Sequence, residues 1–427
     1  MVKIFSYLFL LLLFFSCKKE IIDNQAPIIS ILQPLQNQNF TAFDTIPIQG
    51  IVTDNNLITS ISISLRNSNN INVLNNISIT PNTTSYNLNE QFLLNDLYLP
   101  SGIYNLKISA FDGVNQTDMY IPLTINEFPK TRNGFFVFSN SGSTTQFTKL
   151  DNGLNSTPFT SVTGDFLYGC VNSLNQQVYS SGNVSGNLVA FDANTANQSW
   201  VESNNASGFP HFTTILSHES EVFVGFYNRN IKSYTKNGVS KFSTSAFVNS
   251  YSSLIFIHEN NLLLTEQPEI STGITRLVTY YLTGFVKDNL LLNEDVNAMF
   301  SFSTNEVVLF TNVSGNGKLS IYNISSNATW QPFALNTGLI SSCTEVSNGI
   351  YLIAQNGDVI LVNINNFTKS TYLSGINAQL VKYDVVSNEV IVTSGNSLTT
   401  YDYATKSVKG NYTHSNTILA VDFWYNK

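Results

Sequence analysis

An all-β chain is predicted, with a β-sandwich over residues 27–127 followed by a seven-bladed β-propeller over 131–427 whose two ends pair to close the ring. Three observations carry this expectation. Short runs alternate apolar and polar residues from Pro27 to about Asn126. Aromatic-rich runs then recur from Phe135, Val178, Val222, Leu262, Val307, Ile350 and Val390, at steps of 43, 44, 40, 45, 43 and 40 residues. Finally, Ile418-Leu419-Ala420-Val421-Asp422-Phe423 reads as the inner strand of a blade that has no outer strands after it.

The chain opens with Met1-Val2-Lys3, an apolar run from Ile4 to Phe15, and Ser16-Cys17-Lys18-Lys19-Glu20. That order of charge, apolar core and small residue is a secretory signal over 1–16. Its apolar run of about 12 residues falls short of the roughly 20 that span a bilayer as a helix. Phe14-Phe15-Ser16-Cys17 resembles the lipobox of bacterial lipoproteins, with Phe14 standing where Leu is usual. The resemblance implies lipidation of Cys17, and several acyl chains hold firmly at about 0.8 kcal/mol per buried methylene. The alternative is an ordinary signal peptide with an incidental Cys. Lys18 occupies the place where Asp tends to retain such lipoproteins at the inner membrane, so the resemblance implies an outer-membrane anchor. Residues 17–26 are polar and aperiodic, a lipidated tether.

Charged residues make up only 11% of the chain, so Asn, Ser and Thr supply most of the hydrated surface, which suits short strands and many turns. The net charge of -8, with no Lys/Arg cluster beyond Lys18-Lys19, excludes a phosphate-backbone footprint and with it nucleic acid. Cys170 and Cys343 are too few for a disulfide framework. Each precedes a recurring run, which places both on inner strands nearly across the ring, as free packed thiols.

In the first region, Ile61-Ser62-Ile63-Ser64-Leu65 and Tyr104-Asn105-Leu106-Lys107-Ile108 show the period of two that marks strands with one buried face. Gly50-Ile51-Val52-Thr53-Asp54 and the stretch from Gly102 to Gly113 resemble paired strands of bacterial Ig-like and cadherin-like modules. No Cys…Trp…Cys core is present, which excludes the antibody type. Asp54 and Asp112 echo the carboxylates that bind calcium between cadherin repeats, although Asp before Asn or Gly is also ordinary turn chemistry.

In the second region, Gly186-Asn187-Leu188-Val189-Ala190-Phe191-Asp192-Ala193-Asn194-Thr195, ending at Trp200, resembles the quinoprotein-type (PQQ-repeat-type) propeller repeat. Fragments persist at Gly357-Asp358-Val359-Ile360 and at Leu398-Thr399-Thr400-Tyr401-Asp402. The resemblance gives Asp192 a turn role and sends Trp200 between blades. That family includes quinone-dependent dehydrogenases with adjacent cysteines, a pair this chain lacks, and non-catalytic envelope lipoproteins.

Chemistry is sparse. His211, His218, His258 and His414 have no metal-ligand spacing, and no phosphate loop or nucleophile elbow occurs. Glu219, Glu221, Glu294 and Asp295 are candidate carboxylates for acid/base work, set against a bland reading as solvated turns. Trp424 and an apparent insertion over Glu266–Thr275 are expected to be exposed. The expectation is a non-catalytic, outer-membrane-anchored scaffold with no cofactor and no metal, binding another envelope protein through its propeller. The alternative is a surface glycan-binding or glycan-degrading protein.

Overall fold

A computed structural model describes residues 23–206 and 208–427; the signal segment, Cys17 and the start of the tether lie outside the described residues. The chain divides into two compact units, Met1–Pro129 and Lys130–Lys427. Every regular element described is a strand, and among the described residues no helix is long and apolar enough to cross a membrane.

The first unit has eight strands: β1 (Ile28–Gln33), β2 (Gln38–Thr41), β3 (Thr45–Ile58), β4 (Ser60–Arg66), β5 (Ile77–Ile79), β6 (Thr83–Leu93), β7 (Gly102–Phe111) and β8 (Gln116–Asn126). They form two sheets, β1-β3-β6 and β2-β8-β7-β4-β5. The alternation read from the sequence sets the core: Ile61, Ile63 and Leu65 of β4 and Leu106, Ile108 and Ala110 of β7 are all fully buried. They meet Ile46, Ile48 and Val52 of β3 in one cluster. Each buried Val, Leu or Ile side chain contributes roughly 1.5–3 kcal/mol. The long strand β3 bends where its register with β6 shifts between Thr53 and Ile58, which carries Asp54 out at the end of the sheet.

The second unit holds seven four-stranded sheets, six of them in simple meander order and one completed by the C-terminal strand. Sheet 1 comprises Arg132–Ser141, Thr144–Leu150, Ser156–Thr163 and, as its innermost strand, Ile418–Tyr425. Sheets 2 to 7 begin at the inner strands Tyr168–Asn172, Phe212–His218, Leu254–His258, Asp295–Ser303, Ile340–Ser347 and Leu380–Asp384. From sheet 1 through sheet 7 each inner strand lies against that of the next sheet, an arrangement that makes this unit a β-propeller. The recurring runs of the sequence are the second strands. Phe135 to Phe138, Val222 to Phe226 and Val307 to Phe310 are buried throughout, because both sides of each sheet pack against neighbours.

Ring closure follows the expected pairing: Ile418 faces Ser139, Ala420 faces Phe138 and Phe423 faces Phe135. Sheets 7 and 1 are then joined by charge. The Arg132 guanidinium lies 2.8 Å from Asp384 and 2.6 Å from Glu389, with all three side chains buried. The Tyr425 hydroxyl donates to the other Asp384 oxygen at 2.8 Å.

The repeat signature performs structural work. Asp192 accepts from the backbone N–H groups of Asn194 and Thr195 at 3.0 and 2.9 Å, closing the turn between the outer strands of sheet 2. Asp402 repeats this with Thr405 at 2.7 Å. The Trp200 ring sits between Tyr179 and Tyr234, at 5.9 and 5.4 Å, bridging sheets 2 and 3. Gly238 covers it with φ of 75°, and a Cβ there would stand 2.8 Å from Trp200 Cγ. Cys170 and Cys343 are free thiols on inner strands, and burial pushes both up.

Two expectations are corrected. Trp424 is buried, not exposed: strand alternation turns it into the seam between sheets 1 and 2, where its Nε1–H donates to Gln176 at 2.8 Å and Lys149 stands over the ring. Glu266–Thr275 is no insertion. The strands Leu262–Pro268 and Thr275–Tyr281 simply extend beyond their neighbours, leaving a turn of 269–274.

Candidate functional site

The face of the propeller at which the inner strands begin gathers the chain's unusual chemistry. Tyr168, the first residue of sheet 2's inner strand, is 37% exposed, and its phenol lies within electrostatic range of Glu266 and Tyr251. Glu266 belongs to sheet 4, which is not adjacent to sheet 2. Sheet 3 stands between them and Tyr168 starts an innermost strand, so this electrostatic reach runs across the inner side of the ring, the side on which a propeller's central channel opens. Tyr227, just beyond the second strand of sheet 3, brings its ring within 5.0 Å of Tyr251. Tyr251 in turn feels both Glu266 and Asp295.

The Glu266 side chain is buried. Its oxygens accept from the Ser253 hydroxyl at 2.5 Å and from the backbone N–H of Val296 at 2.6 Å. Burial, with a smaller push from Asp295, drives its carboxyl up to about 7 against the pull of those two donors. Asp295 opens sheet 5, is exposed, and has neither an ion pair nor a side-chain hydrogen bond among the described residues. A polar cleft of about 280 Å³ lies beside it, lined by Thr272, Asn293, Glu294 and Asn312. Among the described residues, no lysine or arginine bears on Tyr168, Tyr251 or Glu266.

At the rim of the same face, two loops form a braced ridge. Ile270 N–H donates to the Asn249 carbonyl at 2.8 Å, and Asn249 Nδ2 donates to Ser271 at 2.6 Å. Phe247 N–H donates to the buried Gln267 at 3.0 Å. The ridge holds Phe247, Val248, Ile270 and Ile274 in solvent, with Val248 76% exposed. Four apolar side chains exposed on two hydrogen-bonded loops are the kind of surface that marks contact sites.

The other carboxylates expected to carry acid/base work are used in the frame. Glu221 pairs with Lys241 at 2.5 Å and also binds Ser233. Glu294 pairs with Lys318 and accepts from Thr311 at 2.7 Å. Glu219 accepts from Asn260 at 2.8 Å. Glu219 and Glu221 belong to sheet 3 and Glu294 to the start of sheet 5, each with its own partner; of the four, Asp295 is the one that acts on Tyr251 and Glu266. The histidines are equally scattered. His258 is buried against Ser301 at 2.9 Å, His211 stands edge-on to Phe212, and His414 meets Thr148 at 3.1 Å.

In the first unit, Asp54 and Asp112 do come together, and Asp23 joins them from the segment before β1. One oxygen from each lies within 4.8 Å of the others. Asp112 is buried and accepts from Val114 and Asn115 N–H at 2.6 Å. Asp54 Oδ2 is buried with no hydrogen-bond partner, and burial, reinforced by Asp112 and Asp23, raises its carboxyl. An all-carboxylate donor set is of the kind hard divalent cations take. Asp23 lies in the stretch read from sequence as tether, where nothing in its neighbourhood signalled a packed role.

No family model and no curated protein matches the chain. Among solved structures it is similar to a computationally designed protein, Ika8, at 12% identity and a TM-score of 0.43, covering 58% of this chain and 87% of that one. It is also similar to the nidogen/laminin complex, at 9% identity and 0.44 over 69% of this chain and 100% of that one. The WD40 β-propeller domain of Doa1 matches at 11% and 0.47, over 62% and 92%. The class rests on the sheet order itself: an all-β chain whose larger unit is a β-propeller.

Proposed function

We propose that this chain is a cell-envelope lipoprotein held at the outer membrane by acyl chains on Cys17, and that it is a non-catalytic scaffold whose propeller docks another envelope protein. In this reading the two sheets of the first unit form an Ig-like sandwich and the seven four-stranded sheets form seven blades of quinoprotein-like type. The observation that carries it is the braced ridge, where Phe247, Val248, Ile270 and Ile274 stand in solvent on hydrogen-bonded loops. Ordering such loops beforehand lowers the entropic cost of association. An outer-membrane assembly, secretion or uptake complex is the setting that suits it.

A second reading, glycan binding or glycan degradation, draws support from the tyrosines beside Glu266 and Asp295 at the channel mouth. Crosslinking and affinity capture from solubilised envelopes, with wild type and the Val248→Asp variant in parallel, separates the two. Stoichiometric recovery of one envelope protein by wild type and its loss in the variant supports the scaffold. Recovery of the chain alone overturns it and favours turnover and binding assays with polysaccharides.

A further inference from the structure

We propose that the channel mouth formed by Tyr168, Tyr227, Tyr251, Glu266 and Asp295 is a receptor for a cationic side chain, an arginine, of the docked protein. The inference rests on the reading of this face as a docking surface and adds the chemistry that the partner must bring. The rings of Tyr227 and Tyr251, from sheets 3 and 4, are 5.0 Å apart at 37°, and the Tyr168 phenol of sheet 2 lies within electrostatic range of Tyr251 and Glu266. Ring faces carry negative potential and attract cations. Beside them stand two carboxyls with no compensating charge. Asp295 is exposed and unpaired, and Glu266 lies just beneath, held by Ser253 and Val296.

Arg229 is committed to the carbonyls of Ala246 and Phe247 at 2.9 to 3.1 Å and so braces the ridge, and Arg276 of the strand Thr275–Tyr281 acts on Glu269 of the adjoining turn. A mouth with aromatic walls, acidic groups and no cation repels phosphate and carboxylate ligands. It suits a planar guanidinium, which can stack on a ring while its N–H groups reach a carboxylate. The adjoining apolar ridge would then cover the flanking residues of the partner's segment.

The test uses the full chain labelled with 3-fluorotyrosine and titrated with N-acetyl-arginine amide or N-acetyl-citrulline amide. The two probes share shape and differ in charge. Expected is saturable movement of a subset of fluorine resonances by the arginine probe, with citrulline at least about tenfold weaker. Asp295→Asn and Tyr251→Leu should each weaken the arginine probe by about five- to tenfold while leaving the unfolding transition in place. Equal binding of both probes, no binding of either, or unchanged affinity in both variants overturns the proposal. A captured partner without arginine-probe binding removes the receptor and keeps the scaffold. Probe binding without a captured partner does the reverse.

Discussion

The backbone N–H of Val296 donates to the buried carboxyl of Glu266 at 2.6 Å, so an acidic side chain of sheet 4 grips the inner strand of sheet 5. The same carboxyl is held by Ser253 and sits beside Asp295, and burial raises it to about 7.

Glu266 therefore costs the native state stability once it must ionise. Below about pH 4.5 both folded and unfolded chains hold the proton, and the group contributes nothing. Between there and about pH 7 the unfolded chain releases its proton first, so stability falls as pH rises; above about 7 the loss is constant, on the order of 3 kcal/mol. Glu266→Gln removes the charge, keeps the bond from Val296 N–H at its Oε1 and reverses the other, its amide donating to the Ser253 hydroxyl. Urea unfolding at pH 4.5 and pH 8 should show the variant gaining on wild type only at the higher pH.

The same titration governs the channel mouth, where Asp295, Tyr168 and Tyr251 are the ionisable groups facing Glu266. Affinity for the arginine probe is expected to rise as pH passes upward through about 7, and Glu266→Gln should flatten that profile.

Arg132 neutralises two buried carboxylates across the seam between sheets 7 and 1 and stacks on Phe135 at 4.3 Å from the ring centre. Burial pulls Glu389 upward, yet Lys409 and Arg132 hold it below the usual carboxylate range. Arg132→Ala leaves Asp384 with no cation and Glu389 with Lys409 alone, at a cost of about 3–5 kcal/mol. Chemical denaturation should show the lost stability, and hydrogen exchange should place the first opening along Ile418–Tyr425.

Gly238→Ala sets a side chain against Trp200 in a left-handed backbone conformation. A loss of roughly 1–3 kcal/mol is expected, read as a lower denaturation midpoint with a blue-to-red change in tryptophan emission as the ring loses its enclosure.

The two thiols offer a check on the ring. Burial raises Cys170 and Cys343 alike, so both should resist alkylation at pH 8 in the folded chain and react once it is denatured, as peptide mapping would record.

Much of the architecture was legible because it repeats. Middle strands flanked by sheets on both sides must be apolar throughout, so Val222 to Phe226 and Val307 to Phe310 announce themselves at a fixed spacing. The closing strand was legible for the same reason, since Ile418–Tyr425 lacked outer partners of its own. A period reports what recurs, however, and the channel mouth is built from what does not. Tyr168, Tyr227, Tyr251, Glu266 and Asp295 come from four different sheets and share no motif; only Asp295 stood out in the sequence, as half of an acidic pair. Trp424 was misread because nothing in its local sequence distinguishes a seam from a surface. Asp23 was hidden in a polar stretch, and only folding brings it to Asp54 and Asp112.

Because Arg132–Ser141 gains its inner neighbour only from Ile418–Tyr425, synthesis order and assembly order disagree in this protein. A ribosome-bound chain holds an unzipped strand edge until some 280 residues more have emerged. For that interval the ring is a template for foreign strands, and a holdase that shields the edge would act on this chain before any folding catalyst could.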